Sequence, residues 1–264
     1  MIVRLSTPSD VEQIRKLHRE CFGDPWEYID FYMQRKFPDC FCAVLEIDKE
    51  IVGMVHLLPC TVVPNKKAFY WYAAGIRSDF RNKGLFRSFT EHVIKHTRDA
   101  GYKNICVPAK GLERFYRSIG FSFSYTATDR IYKRIDIEKQ SDYFLFENAT
   151  ADDFLQMQHE KGDVSWDHAA LQYAIEENSY CNGKALKFYN DGRTLCFFAL
   201  KKENSFLIDY HNLTQKDFEK IKSSLFDLLN CEQIVFRDCG TDQIVGLSDS
   251  ELVKSDSKIS MTLA

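Results

Sequence analysis

The spacing of apolar residues changes several times along the chain, and each change marks an element. Ile2 to Leu5 reads as a short strand. Val11, Ile14, Leu17, His18 and Cys21 then recur at three- and four-residue intervals, the period of one helix face. Ser9 and Glu12 stand at capping-box spacing in front of that helix. Gly23-Asp24-Pro25 breaks it, and Pro25 opens a second helix from Trp26 to about Arg35. Three strand-like runs follow, 41–47, 51–63 and 68–76, with polar turns at Asp48-Lys49-Glu50 and at 64–67. Leu85, Phe89, Val93 and Thr97 mark a helix ending at Gly101, and Lys103 to Val107 a strand. Leu112, Phe115, Tyr116 and Ile119 mark a short helix stopped by Gly120. Phe121 to Asp136 alternates as a hairpin turning near Thr128-Asp129. This order, β-α-α-β-β-β-α-β-α-β-β, predicts an α/β domain with a mixed sheet, occupying residues 1–138.

The second half opens as a partial repeat. Asp153-Phe154-Leu155-Gln156-Met157 echoes Asp10-Val11-Glu12-Gln13-Ile14, and Trp166 starts a helical stretch as Trp26 does. Two strands joined at Asn190-Asp191-Gly192 answer the pair joined at Asp48-Lys49. A strand (205–210), a helix (213–229) and a strand (233–237) complete a shortened copy, so the expected second domain is 145–264, the product of an old duplication.

Length and composition agree with two small domains: 264 residues, 45% hydrophobic and 28% charged. No apolar run approaches the roughly 18 residues that cross a bilayer. The first residues are polar by Arg4 and lack the apolar core of a leader, so no membrane and a cytoplasmic location are expected. The nine cysteines include no C-x-x-C pair, and no Cys/His set has zinc spacing, so they read as reduced and structural and no metal is expected. The net charge of −3 conceals an asymmetry. Residues 141–264 hold 12 Lys/Arg against 21 Asp/Glu, while the remainder holds 23 against 17. A basic half beside an acidic half suggests an anionic partner for the first and a cationic one for the second.

The segment Ile76-Arg77-Ser78-Asp79-Phe80-Arg81-Asn82-Lys83-Gly84-Leu85-Phe86 carries the clearest chemistry. A strand ends, a basic turn follows, and a helix begins at the glycine. The first N–H groups of that helix lack intrahelical partners, and its dipole adds positive potential. Such a turn accommodates a pyrophosphate, with Arg81 and Lys83 supplying charge and Gly84 allowing close backbone approach. Further on stands Leu112-Glu113-Arg114-Phe115-Tyr116-Arg117-Ser118-Ile119-Gly120-Phe121.

Together these segments resemble the GNAT N-acetyltransferases over residues 1 to about 138. The family's pyrophosphate turn runs arginine or glutamine, two residues, glycine, one residue, then glycine or alanine. Arg81 and Gly84 match its first and fourth positions. Its later phenylalanine–tyrosine pair before glycine–phenylalanine is matched by Phe115, Tyr116, Gly120 and Phe121. Two positions depart from the pattern: Phe86 stands where a small residue is usual, and the asparagine many members carry after the next strand is replaced around Ala109-Lys110.

The resemblance implies acetyl-CoA as cosubstrate, bound by Gly75, Ile76, Arg81, Asn82, Lys83, Gly84, Leu85 and Phe86. It also implies direct transfer of the acetyl group to a primary amine. A strand N–H near Ile76 would polarise the thioester carbonyl, and Tyr116, protonated at pH 7, would act as general acid toward the leaving thiolate. Glu46, His56 and Tyr72 are the candidate bases. The segment Phe22 to Phe37, with Trp26, Tyr28, Phe31 and Tyr32, would border the acceptor. Residues 210–217 contain neither arginine nor glycine, so the second copy is expected not to bind CoA. Two other functions stay open: a non-catalytic CoA-binding or interaction module, and an aminoacyl transferase using charged tRNA. The CoA-type turn and the acidic second half oppose the latter, and no nucleic-acid partner is expected.

Overall fold

The amphipathic stretch after the first strand folds as α1 (Val11–Phe22) in a computed structural model that describes all residues except 63–65, 139–142, 162–163 and 251–264. Its entry is fixed earlier than the Ser9–Glu12 spacing suggests. The Thr7 N–H and hydroxyl donate to Asp10 Oδ2 at 2.7 and 2.8 Å, and Arg4 grips the same carboxylate at 2.7 and 2.9 Å. A carboxylate accepts stronger hydrogen bonds than a hydroxyl, so Asp10 takes the role and the Ser9 hydroxyl turns to the Thr7 hydroxyl at 2.8 Å. Arg4 and the Thr7 donors hold the Asp10 carboxyl well below the usual range.

The chain divides into two compact units, Met1–Phe123 with the segment from Gly246, and Ser124–Val245. In the first, β1 (Ile2–Leu5), β2 (Phe41–Ile47), β3 (Glu50–Val62), β4 (Lys66–Ile76) and β5 (Lys103–Cys106) lie side by side in that order. Asp48 and Lys49, both at positive φ, turn β2 tightly into β3. Alternate residues of β2 serve opposite faces. Cys42 and Val44 join Ile14 and Leu17 of α1, on the side that α2 (Trp26–Arg35) also shares through Met33. Ala43 and Leu45 join Phe89, Val93 and Ile94 of α3 (Leu85–Asp99) and Tyr116 of α4 (Glu113–Ser118).

The outer neighbour of β5 comes from the far end of the chain. Leu247 and Ser248 pair antiparallel with Cys106 and Ile105. Asp249, its side chain sealed from solvent, accepts from Asn104 N and Nδ2 at 2.9 and 2.7 Å and from Arg98 Nε at 2.8 Å. The hairpin expected over Phe121–Asp136 does not form, because β6 (Phe123–Lys133) is one strand. Asp129, the expected turn residue, sits mid-strand. Arg237, 108 residues away, donates to both its carboxylate oxygens at 2.8 Å.

The second unit contains β6, β7 (Glu147–Asn148), α5 (Ala151–Lys161), β8 (Val164–Ser165), α6 (His168–Tyr180), β9 (Lys184–Asn190), β10 (Arg193–Lys201), β11 (Phe206–Asp209), α7 (Gln215–Leu229) and β12 (Gln233–Cys239). Its sheet runs β7-β9-β10-β11-β12-β6, with β11 parallel to β12 as β4 is to β5. Thr150 caps α5 through Asp153, at 2.8 Å from its N–H and 2.7 Å from its hydroxyl. That repeats the Thr7–Asp10 arrangement atom for atom. Asp191 and Gly192, both at positive φ, repeat the tight turn of Asp48 and Lys49. Both units therefore show two helices, a hairpin, and a parallel strand–helix–strand crossover.

Candidate functional site

In the first unit β4 outruns its parallel partner. The β4–β5 ladder stops at Trp71 opposite Cys106, whereas β4 continues to Ile76. Beyond that point β4 also bulges against β3: His56 faces Tyr72, the next aligned pair is Met54 with Gly75, and Ala73 is forced to φ 46°. A bulge bends and twists a strand, so the backbone from Tyr72 to Ile76 has no β5 partner on that side. The sequence carries little warning of this, since only the small run Ala73-Ala74-Gly75 distinguishes the position. Gly75 itself serves packing. A Cβ there would come within 2.8 Å of Cys21 Sγ, so α1 lies directly on the strand end.

The basic turn follows at once. Asn82 (φ 59°) and Gly84 (φ 75°) both adopt left-handed backbone, which gathers successive N–H groups into an anion-holding concavity. Gly84 is the N-cap of α3 and brings no side chain to the cap. The helical ladder begins with the Ser88 N–H donating to the Gly84 carbonyl at 3.2 Å. The N–H groups of Leu85, Phe86 and Arg87 therefore precede it and point outward. A Cβ on Gly84 would meet nothing within 4 Å, so the concavity is open. Arg81 Nε donates to the Ile76 carbonyl at 3.2 Å, tying the turn to the strand end. The Lys83 ammonium stands over the Phe80 ring at 5.2 Å. Arg77 is committed to Asp79 and Glu50, both at 2.8 Å. Arg81 and Lys83 are thus the cations of the turn proper.

Phe86, the bulky departure in the motif, points into the core and leaves its N–H in the concavity. Its ring stacks on Phe115 at 5.2 Å. Ring contacts continue from Phe115 to Tyr116 (5.5 Å), Tyr116 to Phe121 (5.6 Å) and Phe121 to Trp71 (5.3 Å). The two motifs are thereby joined, with Tyr116 between the start of α3 and Trp71, the last β4 residue paired with β5. Tyr116 is buried, and burial pushes its phenol well above the ordinary value.

The candidate bases separate. Glu46 is spent on Arg4, at 2.8 Å, near the β1 edge. His56 and Tyr72 lie opposite each other on β3 and β4, on the α1–α2 face. There Tyr32 stacks on His56 at 5.4 Å, with its hydroxyl 2.7 Å from Nδ1. Tyr28 and Tyr72 share a hydrogen bond at 3.0 Å. Trp26 stands apart, under the guanidinium of Arg15 at 4.3 Å. The helical spacing had marked His18 only as part of a buried face. It completes this cluster, 6.0 Å from His56 between ring centroids and 2.9 Å from Asp24 Oδ2.

Burial pushes His56 down to about 3, with His18 adding to the shift, and lowers His18 against the pull of Asp24. Both rings therefore take up a proton less readily when folded than when unfolded, and His56 stays neutral in the folded protein well below pH 5. Their stabilisation is complete above pH 6.5 and is lost as pH falls below it. Chemical denaturation between pH 6.5 and 5 should show stability falling, with His56 contributing up to about 1.4 kcal/mol per pH unit. His56→Phe should remove that share, and an unchanged slope would mean that His56 titrates normally.

The corresponding helix start in the second unit is closed. Thr214 caps α7, accepting from the Asp217 N–H at 3.1 Å, while Asp217 accepts from the Thr214 N–H at 2.9 Å. That carboxylate fills the position an anion would occupy.

Residues 11–121 match the model of the acetyltransferase (GNAT) family. Solved structures share the fold over most of the chain. A probable N-acyltransferase of Enterococcus faecalis aligns with a TM-score of 0.71 at 12% identity, covering 94% of this chain and 72% of its own. A GCN5-related N-acetyltransferase of Anabaena variabilis aligns at 0.69 and 11%, covering 94% and 71%. One from Kribbella flavida aligns at 0.64 and 10%, covering 94% and 70%. No protein of curated function matches the chain.

Proposed function

We propose that the first unit transfers an acetyl group from acetyl-CoA to a primary amine by direct attack. The observation that carries this reading is the open turn at 81–84. Two left-handed residues and an uncapped helix start face outward immediately after a strand whose end is free of its parallel neighbour. Arg81, Lys83 and the N–H groups of Leu85, Phe86 and Arg87 would hold the pyrophosphate. The free β4 backbone between Tyr72 and Ile76 would pair with the pantetheine arm and present an N–H to the thioester oxygen as negative charge grows on it. Tyr116, kept protonated by its apolar surroundings, would hand a proton to the departing sulfur. The second unit, with its helix start closed by Asp217, would be a degenerate copy that leaves CoA to the first.

Calorimetric titration with CoA and thiol release from acetyl-CoA across a panel of primary amines test this together. Binding at one site per chain with amine-dependent thiol release is the expected result. Binding without release from any amine would leave a non-catalytic CoA-binding module. No binding would remove the reading altogether.

A further inference from the structure

Two imidazole nitrogens buried in the first unit have no hydrogen-bond partner among the described residues, Nδ1 of His18 and Nε2 of His56. A polar atom closed off from water without a partner costs about 1–3 kcal/mol, so two in one cluster point to a group that satisfies them. Asp24 sets the tautomer of His18. His18 Nε2 lies 2.9 Å from Asp24 Oδ2, and a carboxylate only accepts. The proton is therefore on Nε2, and Nδ1 presents a lone pair. His56 Nδ1 lies 2.7 Å from the Tyr32 hydroxyl, which can donate or accept; when the hydroxyl donates, the ring hydrogen is on Nε2, which is then a donor. A lone pair and an N–H on two rings whose centroids lie 6.0 Å apart would suit a group that both donates and accepts. An amino group and a water molecule are the simplest such groups.

The position suits the reaction. His18 lies one turn before Cys21, whose Sγ is 3.5 Å from the Ile76 carbonyl. His56 pairs with Tyr72 beside the bulge at Ala73. The Asp24 side chain is 35% exposed and links the buried ring to solvent. The ionisable groups around His18 are Asp24, His56, Tyr32, Tyr72, Tyr28 and Cys21.

Resting on the acyl-transfer reading above, we propose that His18, oriented by Asp24, is the base that takes the acceptor's proton, while His56 Nε2–H holds the amino nitrogen or the water that carries that proton. The ammonium proton moves to His18 Nδ1, and Asp24 faces the resulting imidazolium. The freed amine forms the new C–N bond as the thioester C–S bond breaks. Tyr116 protonates the sulfur and regains a proton from the new amide nitrogen. His18 then releases its proton to solvent past Asp24, which is the one proton the net reaction yields.

The test measures thiol release from acetyl-CoA with putrescine, tyramine and a lysine methyl ester between pH 6 and 10. At pH 7, His18→Gln should lower kcat/KM about 100-fold, within the usual range for a positioned base, and Asp24→Asn about tenfold. Both should come within about threefold of the parent at pH 10, where an amine of pKa about 10.4 is already roughly 30% neutral without help. CoA affinity by calorimetry should be unchanged in both. A deficit equal at every pH would show a structural role and overturn the assignment. Should His18→Gln fail to fold, Asp24→Asn, altered at a partly exposed position, gives the same contrast. Imidazole ¹⁵N shifts of the parent protein add a readout that needs no acceptor: His18 protonated on Nδ1 instead of Nε2 would also overturn the assignment. If the parent binds CoA yet releases no thiol with any of the three amines, the transfer reading fails, whatever the His18 variants do.

Discussion

Gly84→Val should reduce CoA affinity by at least about 100-fold, equivalent to about 2.8 kcal/mol, while the protein remains folded. Gly84 is at φ 75°. Left-handed backbone costs an L-residue about 1–2 kcal/mol, and a β-branched residue tolerates it least. The added side chain would collide with nothing in the protein, since a Cβ there has no neighbour within 4 Å. Its effect falls on the concavity, which it fills and distorts where the N–H groups of Leu85 and Phe86 converge. Calorimetry with CoA reads the affinity, and thermal unfolding reads the smaller loss of stability. A folded variant with parental affinity would mean that the anion site is elsewhere. Gly84→Ala should fall between the two, because it adds less volume at the same dihedral cost.

Tyr116→Phe should lower kcat by tenfold or more and leave the CoA dissociation constant within about twofold, as expected when a proton donor is removed and cofactor contacts are kept. Phenylalanine preserves the edge-to-face contacts with Phe115 and Phe121, so packing between α4 and the sheet is retained. Burial holds the phenol protonated throughout the physiological range, and Tyr116 should therefore add no alkaline limb to the rate profile below about pH 10. Equal turnover in parent and variant would take Tyr116 out of the mechanism.

Much of this site is local and could be read from the chain. The turn proposed to hold the pyrophosphate needs a glycine at the helix start and cations just before it, and Arg81-Asn82-Lys83-Gly84 displays them in order. The substitution at Phe86 looked like a defect in the motif. Its ring packs on Phe115, and backbone N–H groups hold an anion regardless of the side chain attached. His18 was legible only as a buried position on an amphipathic helix. Its meaning depends on Asp24 across a loop and His56 on β3, contacts that no helical period encodes. Asp10 takes the cap that the spacing assigns to Ser9, because Arg4 on β1 and the Thr7 donors favour its carboxylate.

By itself the sequence determined the seven α-helices among the described residues and most of the strands, the glycine turn and the aromatic–tyrosine motif, but not the single strand β6 or the strand that pairs with β5. Each feature it determined depends on residues within a few positions of one another. Only the tertiary structure decided which strands complete each sheet. Asp129 is a ladder residue because Arg237 meets it from 108 positions away, and β5 takes its outer neighbour from the end of the chain, clasped by Asp249. It likewise decided where β4 bulges and which histidine meets which. Such pairings depend on hydrogen bonds and charges between distant segments, and periodicity along the chain carries no record of them.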